Sequence, residues 1–359
     1  MAYHSSGKFV IKVDVFMEYL VNLSRDMTVY APLKRRSQTV FDVLRVNDII
    51  QLDYGMTMLS PTRFLFPPRE TIFNAKNRIK ESSDSFVIEA EDISPGFLPT
   101  KQVIAGIHPH DMHAVLALDR VFLSGDFVDE DYMRRRDNTV IVVMNQTQVW
   151  DTCFSYSMGT GPFFNSTGGC DLILTKLGDE LLAEPVSRNG EGIVEKIKSR
   201  EATSKDMDAR SREESRVVSL FKKEVETDGL PELILNNQDH IIWRMIAEDR
   251  CLGCTNCTMV CPTCFCYNIE DENSIDLSRT RRSRYWASCQ ELNFAKVHGG
   301  NFRASRAARL RQFVTHKLST WVEQFGCFGC VGCGRCMHWC PTNIDLVDIA
   351  KAIAKGVRV

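Results

Sequence analysis

The spacing of apolar and polar residues divides the first half of the chain into short elements. Residues 9–24, FVIKVDVFMEYLVNLS, repeat apolar groups at three- and four-residue intervals, which predicts an opening amphipathic helix. TVYAPLK (28–34) and TVFDVL (39–44) read as strands. The proline-punctuated PTRFLFPP (61–68) predicts irregular chain, SFVIEAED (85–92) a strand, and QVIAGIHPHD (102–111) a buried strand ending in a proline turn. MHAVLALDRVFL (112–123) continues as a helix, and NTVIVVMNQ (138–146), β-branched almost throughout, is the clearest strand. Strands alternating with helices predict an α/β domain.

The pattern breaks at DTCFSYSMGTGPFFNSTGGCD (151–171), a glycine- and serine-rich loop. Glycines at 159, 161, 168 and 169 would let backbone amides approach a phosphate or a sulfur, but they match neither the Walker nor the dinucleotide fingerprint, and tight turning is the simpler reading. DLILTKLGDELLAEPVS (171–187) predicts a hairpin around Gly178, GIVEKIKSR (192–200) a helix, and the charged run 200–216 a solvated helix or linker. NQDHIIWRMIAEDR (237–250) predicts a short helix leading into a cysteine-rich region. IDLVDIAKAIAK (344–355) predicts an amphipathic closing helix.

That region changes the picture. CLGCTNCTMVCP (251–262) and CVGCGRCMHWCP (330–341) both read C-x2-C-x2-C-x3-C-P, the bacterial-ferredoxin run that holds [4Fe-4S] clusters. Three cysteines two residues apart wrap one cubane, and the fourth points to a second. By that exchange rule Cys251, Cys254, Cys257 and Cys340 hold one cluster, and Cys330, Cys333, Cys336 and Cys261 hold the other. Pro262 and Pro341 turn the chain away after the fourth cysteine. A zinc ribbon needs two C-x2-C pairs per metal and gives no reason for a third cysteine or the C-P ending. A disulfide framework is disfavoured by the absence of a secretory segment.

Composition agrees with this chemistry. The chain has 359 residues, 44% of them hydrophobic, enough for two cores, and its 14 cysteines fit metal ligation in a reducing compartment. A net charge of -2 gives no global reason to expect nucleic acid as partner. No run approaches about 18 apolar residues, so no membrane span is expected and the cytoplasm is the expected location. The expected fold is an α/β N-terminal domain (1–236), then a mainly α-helical dicluster ferredoxin-type domain with a long insert (237–359).

The insert carries RTRRSRYW (279–286) and a helix-like run ASRAARLRQFVTHKL (304–318). Arg279, Arg281, Arg282, Arg284, Arg303, Arg306, Arg309 and Arg311 give it a positive balance. They are candidates for cluster compensation or an acidic docking partner, against a solvated helix face. Cys153, Cys264, Cys266 and Cys289 are candidates for a third cluster, against the reading as small buried hydrophobes. Cys170 and Cys327 are expected to be spare thiols, and His298, His316 and His338 packing residues. No nucleophile elbow, H-E-x-x-H or dinucleotide fingerprint occurs, so no catalytic residue is assigned.

With those residues in place, the chain resembles the iron-sulfur protein family that includes the A-subunit of anaerobic sulfite reductase and the β subunit of group 3 [NiFe] hydrogenases, or sulfhydrogenases. The resemblance is carried by PTRFLFPPRETIF (61–73), GIHPHDMHAVLALDRVF (106–122), CFSYSMGTGP (153–162), CPTCFC (261–266), WASC (286–289), GGNFR (299–303) and the second cysteine run. It implies an electron-transfer subunit with two partners, a flavin-containing, NAD(P)H-oxidising subunit on one side and a hydrogenase-like or sulfite-reductase-like catalytic subunit on the other. Two departures stand out: His108 and His110 replace an arginine and a cysteine of the family pattern, and Ser155 replaces the second cysteine of CFC. A metal site using those positions would be altered or absent here. The competing function is a reductase whose N-terminal domain itself binds a substrate or third cofactor. A redox sensor is weaker, since no DNA-binding element accompanies the clusters.

Overall fold

The computed structural model describes residues 7–81, 86–166 and 168–356. Residues 1–6, Ser85 of the expected strand and Thr167 of the glycine-rich loop lie outside the described residues. In chain order the first elements are β1 (Phe9–Lys12), α1 (Val13–Leu23), β2 (Thr28–Arg35), β3 (Gln38–Val43), β4 (Arg69–Glu81), β5 (Phe86–Pro95), β6 (Gln102–Ile107) and α2 (Pro109–Phe122). They continue with α3 (Glu130–Asp137), β7 (Thr139–Met144), β8 (Leu172–Leu177), β9 (Glu180–Pro185), α4 (Arg188–Glu195), β10 (Ser199–Glu201) and α5 (Ser204–Val218). The cysteine-rich part holds α6 (Leu230–Asn236), α7 (Ile242–Asp249), α8 (Asn256–Met259), β11 (Tyr267–Asn273), β12 (Arg279–Trp286), β13 (Lys296–Val297) and β14 (Gly300–Asn301). It ends with α9 (Arg306–Thr315), α10 (Trp321–Phe325), α11 (Arg335–His338) and α12 (Leu346–Ala354).

An eight-stranded sheet in the order β10-β1-β9-β8-β7-β6-β2-β3 forms the N-terminal layer. Its middle pairs, β2 with β6, β6 with β7 and β7 with β8, are parallel, and the flanking pairs are antiparallel. Both faces are covered, which is why the central strands read as unbroken apolar runs. Val103, Ala105, Val142 and Met144 pack with Phe16 and Leu20 of α1 on one face. Ile104, Ile141 and Val143 pack with Met112, Val115 and Leu118 of α2 on the other. A bulge at Gly106, where φ is +85°, interrupts the β6–β7 register just before His108 and turns the strand end toward the cysteine-rich part.

The expected opening helix begins four residues late. Phe9–Lys12 is a strand because β9 and β10 lie on either side and take its backbone groups, a long-range pairing that overrides the local period. Likewise Ser199 and Arg200, expected to close a helix, pair with β1 instead. Pro61–Phe64 is a single 3-10 turn capped by Ser60, whose side chain accepts from the Thr62 amide.

The basic stretch 279–286 is not a helix face, and three of its four arginines are paired with carboxylates. It is strand β12, the second strand of a four-stranded sheet ordered β11-β12-β4-β5. Residues from either side of position 237 share this sheet, and its hairpin makes the insert β-structured between the two helical cysteine regions. Arg282 pairs with Asp271 at 2.7 Å and Arg281 with Glu272 at 3.6 Å. Arg284 is buried between Glu70 and Asp129, and Arg135 meets the other oxygen of Glu70. Among the described residues no helix is long and apolar enough to cross a membrane.

Glu70 therefore joins the sheet to α3, and Glu70→Ala would leave Arg135 buried without its carboxylate. Breaking a buried ion pair by removing one partner costs about 3–5 kcal/mol. Anaerobic urea unfolding should show a loss of that size, whereas a change under about 1 kcal/mol would mean the pair is solvent-screened.

Candidate metal centre

The two cysteine runs fold as a structural repeat. Each winds three cysteines around a loop and enters a single helical turn, α8 in the first run and α11 in the second. Equivalent residues adopt left-handed backbone: Gly253 and Thr255 have φ of 64° and 70°, Gly332 and Gly334 of 62° and 75°. Such turns point successive amides inward and suit an anionic occupant. The Gly332 amide lies 3.4 Å from Cys330 Sγ, and the Ile344 amide 3.4 Å from Cys340 Sγ. Asn256 Nδ2 donates to the Trp339 carbonyl at 2.7 Å and ties the two turns together.

Cys251, Cys254 and Cys257 line a cavity whose wall also contains Cys336 and Cys340 of the other run, with Cys340 beside Cys257. The remaining wall is apolar or neutral, including Gln290, Leu310, Phe313, Ile344 and Leu346. Cys330, Cys333 and Cys336 form the second group, with Cys261 from the first run beside all three. Burial, reinforced by that neighbouring sulfur, pushes the Cys330 thiol up to about 12. Buried thiols of this kind lose their protons only when a metal takes the charge. Soft sulfur donors surrounding a pocket fit an iron-sulfur cluster. Among the described residues no three His, Cys, Asp or Glu side chains converge as they would on one ion. A cubane spreads its thiolates over separate corners.

Two threonines escaped the sequence reading. Thr263 Oγ1 lies 3.3 Å from Cys261 Sγ, and Thr342 Oγ1 lies 3.4 Å from Cys340 Sγ. The signal was present, because both runs continue C-P-T rather than merely C-P.

The second run is braced by the N-terminal layer. Arg335, 1% exposed, donates to Asp111 through two nitrogens at 2.6 and 2.7 Å and to the Thr57 carbonyl at 2.9 Å. Burial works against the Asp111 carboxylate, but the Arg335 guanidinium outweighs it and holds the group down at about 2. Asp111 stands at the start of α2, so the carboxyl end of β6 is clamped to the cysteine loop. The glycine-rich loop does more than turn: Phe154 N donates to the Gly332 carbonyl at 2.8 Å, Trp150 Nε1 to Cys333 O at 2.9 Å, and Thr160 Oγ1 to Val331 O at 2.7 Å. A Cβ on Gly334 would lie 2.3 Å from the Thr152 carbonyl oxygen. His108 stacks on Tyr54 at 3.9 Å, and burial lowers its pKa well below the usual histidine value, so it packs as a neutral ring.

The four other candidate cysteines do not all gather. Cys264 lies against Cys261, and Cys266 against Cys289, which is also close to Cys264. Cys153 sits with Ser155, 3.4 Å from Sγ to Oγ, on the Asp111–Arg335 side. Cys170 belongs to the core beneath α2. Of the basic insert, Arg309 bonds the carbonyls of Arg303 and Ala304, and Arg311 that of Gln238.

Comparison with known proteins agrees with this geometry. Residues 250–344 match a 4Fe-4S dicluster domain. The chain is 31% identical over 348 residues, 96% of its own length, to sulfhydrogenase 2 subunit beta of Pyrococcus furiosus, covering 97% of that protein. No solved structure matches significantly.

The brace predicts a selective defect. Gly334→Ala must displace Thr152 and adopt a strained φ, so the second loop should open while the first keeps its shape. Iron per anaerobically isolated chain should fall from about eight to about four, with the fold retained by circular dichroism. Full iron content in this variant would show that the close approach is dispensable.

Proposed function

Because the chain belongs to the iron-sulfur protein family of the sulfhydrogenase β subunits, and is a two-cluster electron-transfer subunit, we propose that it works as a fixed relay in a larger assembly. It would take electrons from a flavin-containing, NAD(P)H-oxidising subunit, then pass them to a hydrogenase or a sulfur- or sulfite-reducing subunit, in the cytoplasm. Each cluster supplies one-electron chemistry; the protein supplies ligands, insulation and fixed distance. We assign Cys251, Cys254, Cys257 and Cys340 to one cluster, and Cys330, Cys333, Cys336 and Cys261 to the other. The observation that carries the assignment is Cys340 in the wall of the first-run cavity.

The placement of the two groups supports a relay. Cys254 is exposed and Leu252 beside it is 61% exposed, so the first cluster has a face through which a partner can exchange electrons. Cys333 is buried, and its loop is covered by residues 150–160. We read the chain as two units, 1–236 and 237–359, held together by the shared four-stranded sheet and the Arg335–Asp111 clamp. The reductase alternative draws on the glycine-rich loop as a substrate site; its contacts with the second run favour a bracing role. Cys264, Cys266 and Cys289 leave a third cluster as a question of iron content.

The assignment is tested by exchange. Cys261→Ser should perturb the same electron paramagnetic resonance (EPR) signal as Cys333→Ser, and anaerobic chain should hold about eight irons and eight sulfides. If Cys261→Ser instead follows Cys254→Ser, each run binds its own cluster; about twelve irons would establish a third. Native isolation at moderate salt should recover flavin and catalytic subunits bound to the chain. An active monomer serving unrelated enzymes would contradict the relay.

A further inference from the structure

The arginines of the insert are taken up by carboxylates, carbonyls or solvent, but one cation is not. Lys317 is 3% exposed and lies in a single π-helical turn, His316–Thr320, between α9 and α10. Turns of this kind are uncommon and concentrate at functional positions. Among the described residues no carboxylate lies within salt-bridge distance of Lys317. Its Nζ donates to Thr263 Oγ1 at 2.8 Å and stands 5.1 Å from the centre of the Trp321 ring. Thr263 in turn lies 3.3 Å from Cys261 Sγ and donates to the Gly329 carbonyl at 2.5 Å. The sulfurs nearest Lys317 are Cys261 and Cys330 of the second group, together with Cys264, Cys266 and Cys289 outside it.

A buried ammonium without a counter-charge costs several kcal/mol, so this position needs an anion. Arg335, equally buried near Cys333, is already neutralised by Asp111. The wall of the first-run cavity contains no Lys, Arg, Asp or Glu. Beside the first run the buried cation is Arg309, whose guanidinium lies 3.6 Å from where a Cβ on Gly253 would stand and donates to the carbonyls of Arg303 and Ala304; beside Cys261 and Cys330 it is Lys317.

We propose that Lys317 is the built-in counter-charge of the cluster held by Cys330, Cys333, Cys336 and Cys261, and that it sets that cluster's reduction potential above the value the same ligands would give without it. Reduction adds one electron to a cluster that is already anionic, and no bond is made or broken. A fixed cation in a low-dielectric site stabilises the more negative state, so the potential rises. Thr263 anchors the ammonium beside Cys261. The inference rests on the ligand assignment above.

EPR-monitored redox titration of the full chain, under anaerobic conditions, tests it. Signals are first identified by Cys254→Ser and Cys333→Ser. In Lys317→Met, the midpoint of the signal that Cys333→Ser perturbs should move to more negative potential, while the other stays in place. Lys317→Arg, which keeps the charge, should remain near wild type. An unshifted midpoint at full iron content, or equal shifts in both signals, overturns the proposal. Should Lys317→Met and Lys317→Gln both lose iron while Lys317→Arg retains it, the charge itself is required and the proposal stands. Loss in all three makes the requirement one of shape and overturns it. Failure of the ligand assignment is seen separately, as Cys261→Ser following Cys254→Ser with the Lys317 variants untouched.

Discussion

Negative charge on buried sulfur is the constraint that the cysteine-rich half of this chain is built to satisfy. Thiolates removed from water are unstable unless a metal, amides or cations take up their charge. Both cysteine runs answer with left-handed turns that aim amides inward and with a threonine beside the fourth cysteine. The second run answers with more: Lys317 close to its sulfurs, and an Arg335–Asp111 pair that contributes rigidity with little net charge. These differences give two sequence-similar loops unequal surroundings.

The same constraint explains why so large an N-terminal layer accompanies two clusters. The carboxyl ends of β6 and β7 deliver α2 and the 150–160 loop onto the second run, and Gly332 and Gly334 are small because that loop's backbone occupies the space a side chain would need. Across the molecule, β4 and β12 pair over roughly two hundred residues of sequence, with Glu70 holding Arg284 and Arg135 beneath the sheet. Long-range joints of this kind tie the N-terminal layer to the cysteine-rich part, while Asn256 and the Trp339 carbonyl tie the two runs to each other.

How much of this was legible depended on the range of the interaction. Cysteine spacing is local, so the two-cluster content could be read directly, as could strands such as β7 whose residues are β-branched throughout. Phe9–Lys12 was misread because its partners lie about 170 or more residues away, and nothing in FVIK announces them. β4 and β12 were hidden for a related reason: their faces are largely solvated, so charged residues replace the apolar alternation, and RTRRSRYW looks like a basic patch until Asp271, Glu272 and Glu70 are placed beside it. Lys317 lay inside an amphipathic helical pattern, where a lysine reads as solvated; in the structure it is buried within the π-helical turn.

A relay of this form requires two clusters held close together. Low-temperature EPR of the fully reduced, anaerobically isolated chain tests this most directly, because neighbouring paramagnets broaden and split one another. Two neighbouring clusters predict a signal that integrates to about two spins per chain and shows that interaction, as two [4Fe-4S] clusters require. A single sharp signal of about one spin, free of splitting at full reduction, would contradict it.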